Sequence, residues 1–510
     1  MGTVRTRHAG NQLAVGAASA ANRSSENRLP AGFDSRLKPL PRPSFRPVRQ
    51  LLLSALLLTP WVHAGVEEAR VPQALETLPD VLETVDPELL ADVPRADDPQ
   101  ALALGLGDRL WRRQVQASAD GRLDDRPLYW QRLAARRSLR ADCDVRPDLD
   151  CSALLDAFEW ASRGAGDLDF PTDADLRILI SGFDPFFLDR DITQGNPSGA
   201  AALALDGTRF GIEGHRVAIE ALMIPVRFAD FDAGRIETLF EPWLREDGAD
   251  LVVTISMGRD GFDLERFPGR RRSAEAPDNR NVLTGASPRT PRIPRMGPDR
   301  VLPGPEFVEF SLPAAAMRAT PGPWAVRDHH RVTTLRGGTF EAPSLAALQD
   351  SIAVQGSGGG YLSNEISFRT VRLARALGSD VAVGHLHTPR ISGQEPETVA
   401  AIVGQVRGIL ETAAAAQFEP RPRLDLPVTD SCADCHPPLA LPEAHPHSDD
   451  YSLAACSSCH ASGTPQGDQL YRAMHRAHVR DMGFDCTLCH ALDAETLEAA
   501  ETELERRLAE

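Results

Sequence analysis

Three copies of one five-residue pattern stand near the carboxyl end of this chain: Cys432-Ala-Asp-Cys435-His436, Cys456-Ser-Ser-Cys459-His460 and Cys486-Thr-Leu-Cys489-His490. Two cysteines flanking two residues can form thioethers to the vinyl groups of a haem, and the adjacent histidine is then placed to ligate its iron. Read this way, the segment carries three covalent c-type haems and its chemistry is electron transfer, with a redox protein as partner.

Zinc is the competing reading, because paired CxxC knuckles also build structural zinc sites. A zinc knuckle has no use for a histidine after the second cysteine, whereas every pair here has one. Bis-histidine iron also needs a distal ligand. Seven of the fourteen histidines fall between His436 and His490, and His445, His447, His475 and His478 could serve three irons with one to spare. Few aliphatic side chains and several prolines leave residues 428–492 unable to bury a conventional core, so porphyrin would supply the apolar mass. The segment resembles the small multihaem c-type cytochromes with bis-histidine irons.

Haem attachment of this type takes place outside the cytoplasm, so an export signal is expected. Arg46 and Arg49 precede the run LLLSALLLTPW, and Val62-His63-Ala64 offers a cleavage site, which makes residues 47–64 a signal peptide and Gly65 the start of the mature chain. The run is too short for a stable membrane span, so the processed protein is expected in the periplasm without a membrane anchor. Residues 1–46 read as disordered or as a misassigned start, with Val48 an alternative initiation point.

Cys143 and Cys151 lie close together and away from histidine, the pattern of a small-loop disulfide in an oxidising compartment. That accounts for all eight cysteines, leaving no free thiol for catalysis. A formal net charge of −17 argues against nucleic acid as a partner. Leucines at three- and four-residue spacing across residues 65–165 predict a helical segment that caps or docks, and the acidic stretch 493–510 predicts a terminal helix.

From Leu176 the texture changes. The runs RILISGF, VAIEALMIPV, DLVVTISMG, SIAVQGS and VAVGHL are short, β-rich and separated by amphipathic stretches, which predicts a parallel sheet flanked by helices in an α/β three-layer domain over residues 176–416. In such sheets the site lies beyond the carboxyl ends of the strands. The residues found there are SGFDPF from Ser181, NPS from Asn196, LER from Leu264, PDN from Pro277, GGYLSN from Gly359 and GHLHTP from Gly384.

In order and spacing these motifs resemble the pyroglutamyl peptidase family, whose members remove amino-terminal pyroglutamate with a Cys, a His and a Glu. The resemblance implies Glu265 and His387 as two of the three, and puts Ser363 where the family has its cysteine. It also implies Phe183 and Phe186 against a substrate ring, and Arg259 where the family has a glutamine. The family's oxyanion arginine corresponds to Glu275 or is displaced into Arg270 to Arg272. A serine can perform acyl transfer when an oriented imidazole takes its proton, with backbone amides near Gly358 to Gly360 receiving the oxyanion. His385, two residues before His387, is expected to point to the opposite face. Two principal readings follow: an electron-transfer protein whose α/β domain is a binding scaffold, or a serine-type peptidase or amidase, acting on a peptide or amide, with a haem tail. A zinc-stabilised peptidase-like protein is the third.

Overall fold

In the computed structural model, which describes residues 65–418 apart from 82–89, 91, 147 and 246–247, helices come first. They are α1 (Val71–Thr77), α2 (Pro99–Ala119), α3 (Arg126–Val145) and α4 (Cys151–Ala161). The signal-like run, the three CxxCH motifs with their seven histidines, and the acidic tail lie outside the described residues. The start of α2 follows from its residues: Asp98 accepts the Ala101 amide proton at 2.9 Å, and proline stands at the first helical position. Asp150 caps α4 in the same way, and a Cys143–Cys151 disulfide ties the end of α3 to its start.

The α/β part runs β1 (Leu176–Phe183), α5 (Pro197–Leu205), β2 (Arg209–Ile212), β3 (His215–Ile224), α6 (Phe228–Asp232), α7 (Arg235–Phe240), β4 (Leu251–Met257), β5 (Phe262–Glu265), α8 (Ala314–Arg318), β6 (Val326–His329), β7 (Arg331–Thr334), β8 (Gly338–Glu341), β9 (Ala353–Gln355), α9 (Leu362–Leu377), β10 (Ala382–Thr388) and α10 (Pro396–Phe418). The main sheet has the order β2-β3-β1-β4-β10-β5-β6. Its centre, β3-β1-β4-β10, is parallel; β2 and β5 join antiparallel, and β6 pairs parallel with β5. Near-continuous apolar runs in β1, β3 and β4 suit strands buried on both faces. The connection from β1 to β3 runs in one direction and those reaching β4 and β10 in the other. Right-handed crossovers therefore place α5 on one face and α7 and α9 on the opposite one.

One strand falls elsewhere than the sequence suggests. Ala353–Gln355, from SIAVQGS, pairs with β7 in a separate three-stranded sheet, β8-β7-β9. Only three residues of the run are extended, and Ala353 buries against a satellite cluster with Phe267, Phe307 and Val332 rather than against the main core. The stretch 320–350 also contributes β6, the edge strand of the main sheet.

The helical layer is continuous with the α/β layers. Trp111, Leu128, Leu154 and Phe158 share a buried cluster with Leu203 of α5 and Met223 of β3, and the Trp111 indole donates to Asp206 at 3.0 Å. A buried ionic network joins the same layers. Asp184, at the end of β1, receives Arg132 at 3.0 Å and Arg163 at 2.7 Å, while Glu159 is paired with Arg136, Arg163 and Arg227. Among the described residues α10 alone is long and apolar enough to cross a membrane, and its apolar face, including Val399, Ile402, Val406, Ile409 and Leu410, is packed in the core.

Candidate functional site

The motif loops at the strand ends hold one another through their polar side chains. Asn196 donates to the Asp184 carbonyl at 3.1 Å and accepts from the Ser198 amide and hydroxyl, and the Ser198 hydroxyl accepts the Phe183 amide proton at 3.1 Å. Asn279 of the PDN motif donates to the Pro185 carbonyl at 2.8 Å. At Gly182 a β-carbon would stand 2.2 Å from the Ser198 carbonyl oxygen, so this close approach requires glycine. Asp184 is buried; burial acts to raise its carboxyl, and Arg163 and Arg132 outweigh that and hold it below the usual carboxylate range. The helical layer therefore anchors the loop that presents Phe183 and Phe186.

Strand register assembles the next tier. His385 pairs with Thr254 and His387 with Ser256 across β10 and β4; His387 pairs with Asp263 across β10 and β5; Glu265 pairs with His329 across β5 and β6. Paired residues of adjacent strands share a face, so a polar tract crosses four strands at one end of the sheet. The His387 Nδ1 is bonded to one oxygen of Glu265, and the His329 Nδ1 to the other at 2.8 Å. Since a carboxylate only accepts, each Nδ1 carries a proton. Burial acts to raise the Glu265 carboxyl, but the two imidazoles prevail and it lies below its ordinary range. Burial acts to lower His329, and the Glu265 bond outweighs it and raises the ring.

His385 does not point away from His387. Residues two apart on a strand share a face, and the two rings meet at 4.9 Å with their planes perpendicular. Burial pulls His385 well below the ordinary imidazole value, with His387 adding to the effect, so the ring is neutral.

Ser363 is the second residue of α9, and its hydroxyl donates to the Gly358 carbonyl at 3.2 Å rather than to an imidazole. It lines a cavity of about 40 Å³ together with Phe183, Phe186, Asn196, Ser256 and Tyr361. That volume holds a few waters and not a ring-sized ligand without side-chain movement. Arg259 is not in this cavity. It is exposed and faces an open groove of about 820 Å³ with Asp260, Trp324 and Arg390. Glu275 is exposed, while Arg270 donates to the Leu302 carbonyl, Arg271 pairs with Glu306, and Arg272 pairs with Glu365 and Asp232. These three arginines are thus committed elsewhere than an oxyanion. Among the described residues, the grouping of metal-ligand type is Asp263, Glu265 and His329, but Arg327 clamps the Asp263 carboxylate at 2.6 and 2.9 Å.

Sequence reasoning passed over His329 and Ser256. His329 sits in a four-residue strand, where periodicity carries little signal. Ser256 lies in an apolar run where a small hydroxyl reads as filler.

Residues 404–505 match the class III cytochrome c family, and residues 177–314 match a family described as PA0049, C-terminal domain. The carboxyl-terminal segment is thus of multihaem cytochrome c type. An uncharacterized protein, PA0049, of Pseudomonas aeruginosa is 30% identical over 363 residues, covering 54% of this chain; the chain spans 66% of that relative's length. Among solved structures, pyrrolidone carboxyl peptidase from the hyperthermophile Pyrococcus furiosus is similar at 17% identity over 48% of this chain and 100% of that one, with a TM-score of 0.33. A point mutant of that enzyme is similar at 17% identity over 47% of this chain and 98% of that one, with a TM-score of 0.31.

Proposed function

We propose that this chain is an exported electron-transfer protein that carries three covalent haems on Cys432 to His490 and uses its α/β domain as a binding scaffold. The observation that carries the reading is the coincidence of three CxxCH motifs and four further histidines with the stretch that matches class III cytochromes. His436, His460 and His490 are the proximal ligands, and distal ligands come from His445, His447, His475 and His478. The run at 47–64 directs the chain to the periplasm, where a redox protein is its partner. The scaffold role rests on the committed Ser363 hydroxyl and the occupied arginines. A reversible change between oxidised and reduced c-type spectra, diminished when Cys456 and Cys459 are both replaced by alanine, is the expected result. A colourless protein holding stoichiometric zinc would refute it.

The Glu265–His387 contact favours a second reading, serine-type hydrolysis of a peptide, amide or ester. A buried carboxylate that fixes an imidazole tautomer is the supporting half of an acyl-transfer triad. Assay of the purified chain with a pyroglutamyl amide and a wider amide and ester panel tests it, and no turnover of any member would end it.

A further inference from the structure

The cavity beside Ser363 contains a second hydroxyl, and that one is paired with an imidazole. Ser256 Oγ lies 2.7 Å from His385 Nε2, and His385 Nδ1 lies 2.8 Å from Thr254 Oγ1. The proton positions follow from the bonds. Thr254 Oγ1 donates its single proton to the Gly384 carbonyl at 3.2 Å, so it accepts from His385, and Nδ1 carries the ring proton. Nε2 therefore presents a lone pair, and the Ser256 hydroxyl donates to it. This is the polarity of a nucleophile and its base, with the third group orienting the base. His385 is fully buried and Ser256 is 5% exposed at the cavity wall. The same cavity receives the first turn of α9, whose N-cap, Tyr361, makes no side-chain capping bond, so the opening amides face it without a capping acceptor.

We infer that Ser256, with His385 as its base, is the nucleophilic hydroxyl of this cavity, acting on a small uncharged acyl group of an ester or amide. The assignment rests on the hydrolytic reading above, and moves its nucleophile from α9 to β4 and its base from His387 to His385. Ser256 Oγ bonds to the acyl carbon while its proton passes to His385 Nε2, and the amides opening α9 receive the oxyanion. Collapse breaks the bond to the leaving amine or alcohol, which takes the proton from Nε2. Water then attacks the acyl ester by the same proton route, releasing the acid and restoring Ser256. Phe183 and Phe186 give the acyl group an apolar wall, and the cavity's size restricts it to a few heavy atoms.

The test is covalent labelling of the full haem-loaded chain with a fluorophosphonate, which loses fluoride on forming a phosphonyl ester at an activated serine. Tryptic mapping separates the peptide ending at Arg259 from the one ending at Arg369. Label on the first peptide is expected, at a rate at least about tenfold lower in Ser256→Ala. The map of the unsubstituted chain stands without any variant having to fold. Label on the Arg369 peptide would overturn the Ser256 assignment while leaving a hydrolase in place. Label on neither peptide would overturn the assignment and the hydrolytic reading together.

Discussion

Glu265 is the residue on which the geometry turns, because one carboxylate with 1% exposure satisfies two imidazoles on two different strands. Its folded pKa is depressed, so the stability it contributes is present above the ordinary carboxylate value and is lost as pH falls through the folded one. That of His329 is raised, so its contribution is present below the ordinary imidazole value and is lost as pH rises through its folded pKa. Glu265→Gln should bring the His329 titration back to or below the ordinary value, read by deuterium exchange at the ring carbon; an unmoved titration would show that the carboxylate does not hold the ring. Asp184 carries a comparable burden at the layer junction. Asp184→Asn leaves Arg132 and Arg163 with one charge fewer between them in a dry environment and should cost about 3–5 kcal/mol in denaturant unfolding.

At the scale of elements, the apolar runs that form β1, β3, β4 and β10 were legible because a fully buried parallel strand leaves an unbroken hydrophobic signature. Glu265, His387 and Ser363 could be picked out through the resemblance of the motifs around them to a known family. The short strands β5 and β6 were not legible: FDLE and VRDH are four residues each, and their place depends on a sheet edge that only the assembled core provides. The ionic seam between helices and sheet was equally hidden, because arginines spaced along α3 look like an exposed face until Glu159 and Asp184 meet them. A second seam lies at the outer strands. Burial pushes the Glu220 carboxyl up to about 7 and that of Asp206 up to about 6. Both hold their protons more firmly folded than unfolded, so the domain loses stability as pH rises from about 4 through 7. Glu220→Gln should flatten that decline in urea midpoints followed by tryptophan fluorescence, and an unchanged slope would argue against it.

On the scale of the whole molecule, α10 begins just past the site end of β10 and runs about 35 Å to Phe418, which stacks on His215 at the start of β3. The chain thus leaves the described domain at the end of the sheet opposite the candidate site. Among the described residues the buried clusters lie between Val71 and Ala414, and a chain ending at Phe418 should unfold with the same cooperativity and a midpoint close to that of the longer one. A large drop would show that the cytochrome segment is part of the domain's core. Three covalent haems on an exported chain are read most directly from iron content together with intact mass of protein matured in a periplasm. Three irons per chain and a mass raised by three haems, on a chain beginning at Gly65, is the predicted result. Absence of covalent haem, or zinc in place of iron, would contradict it.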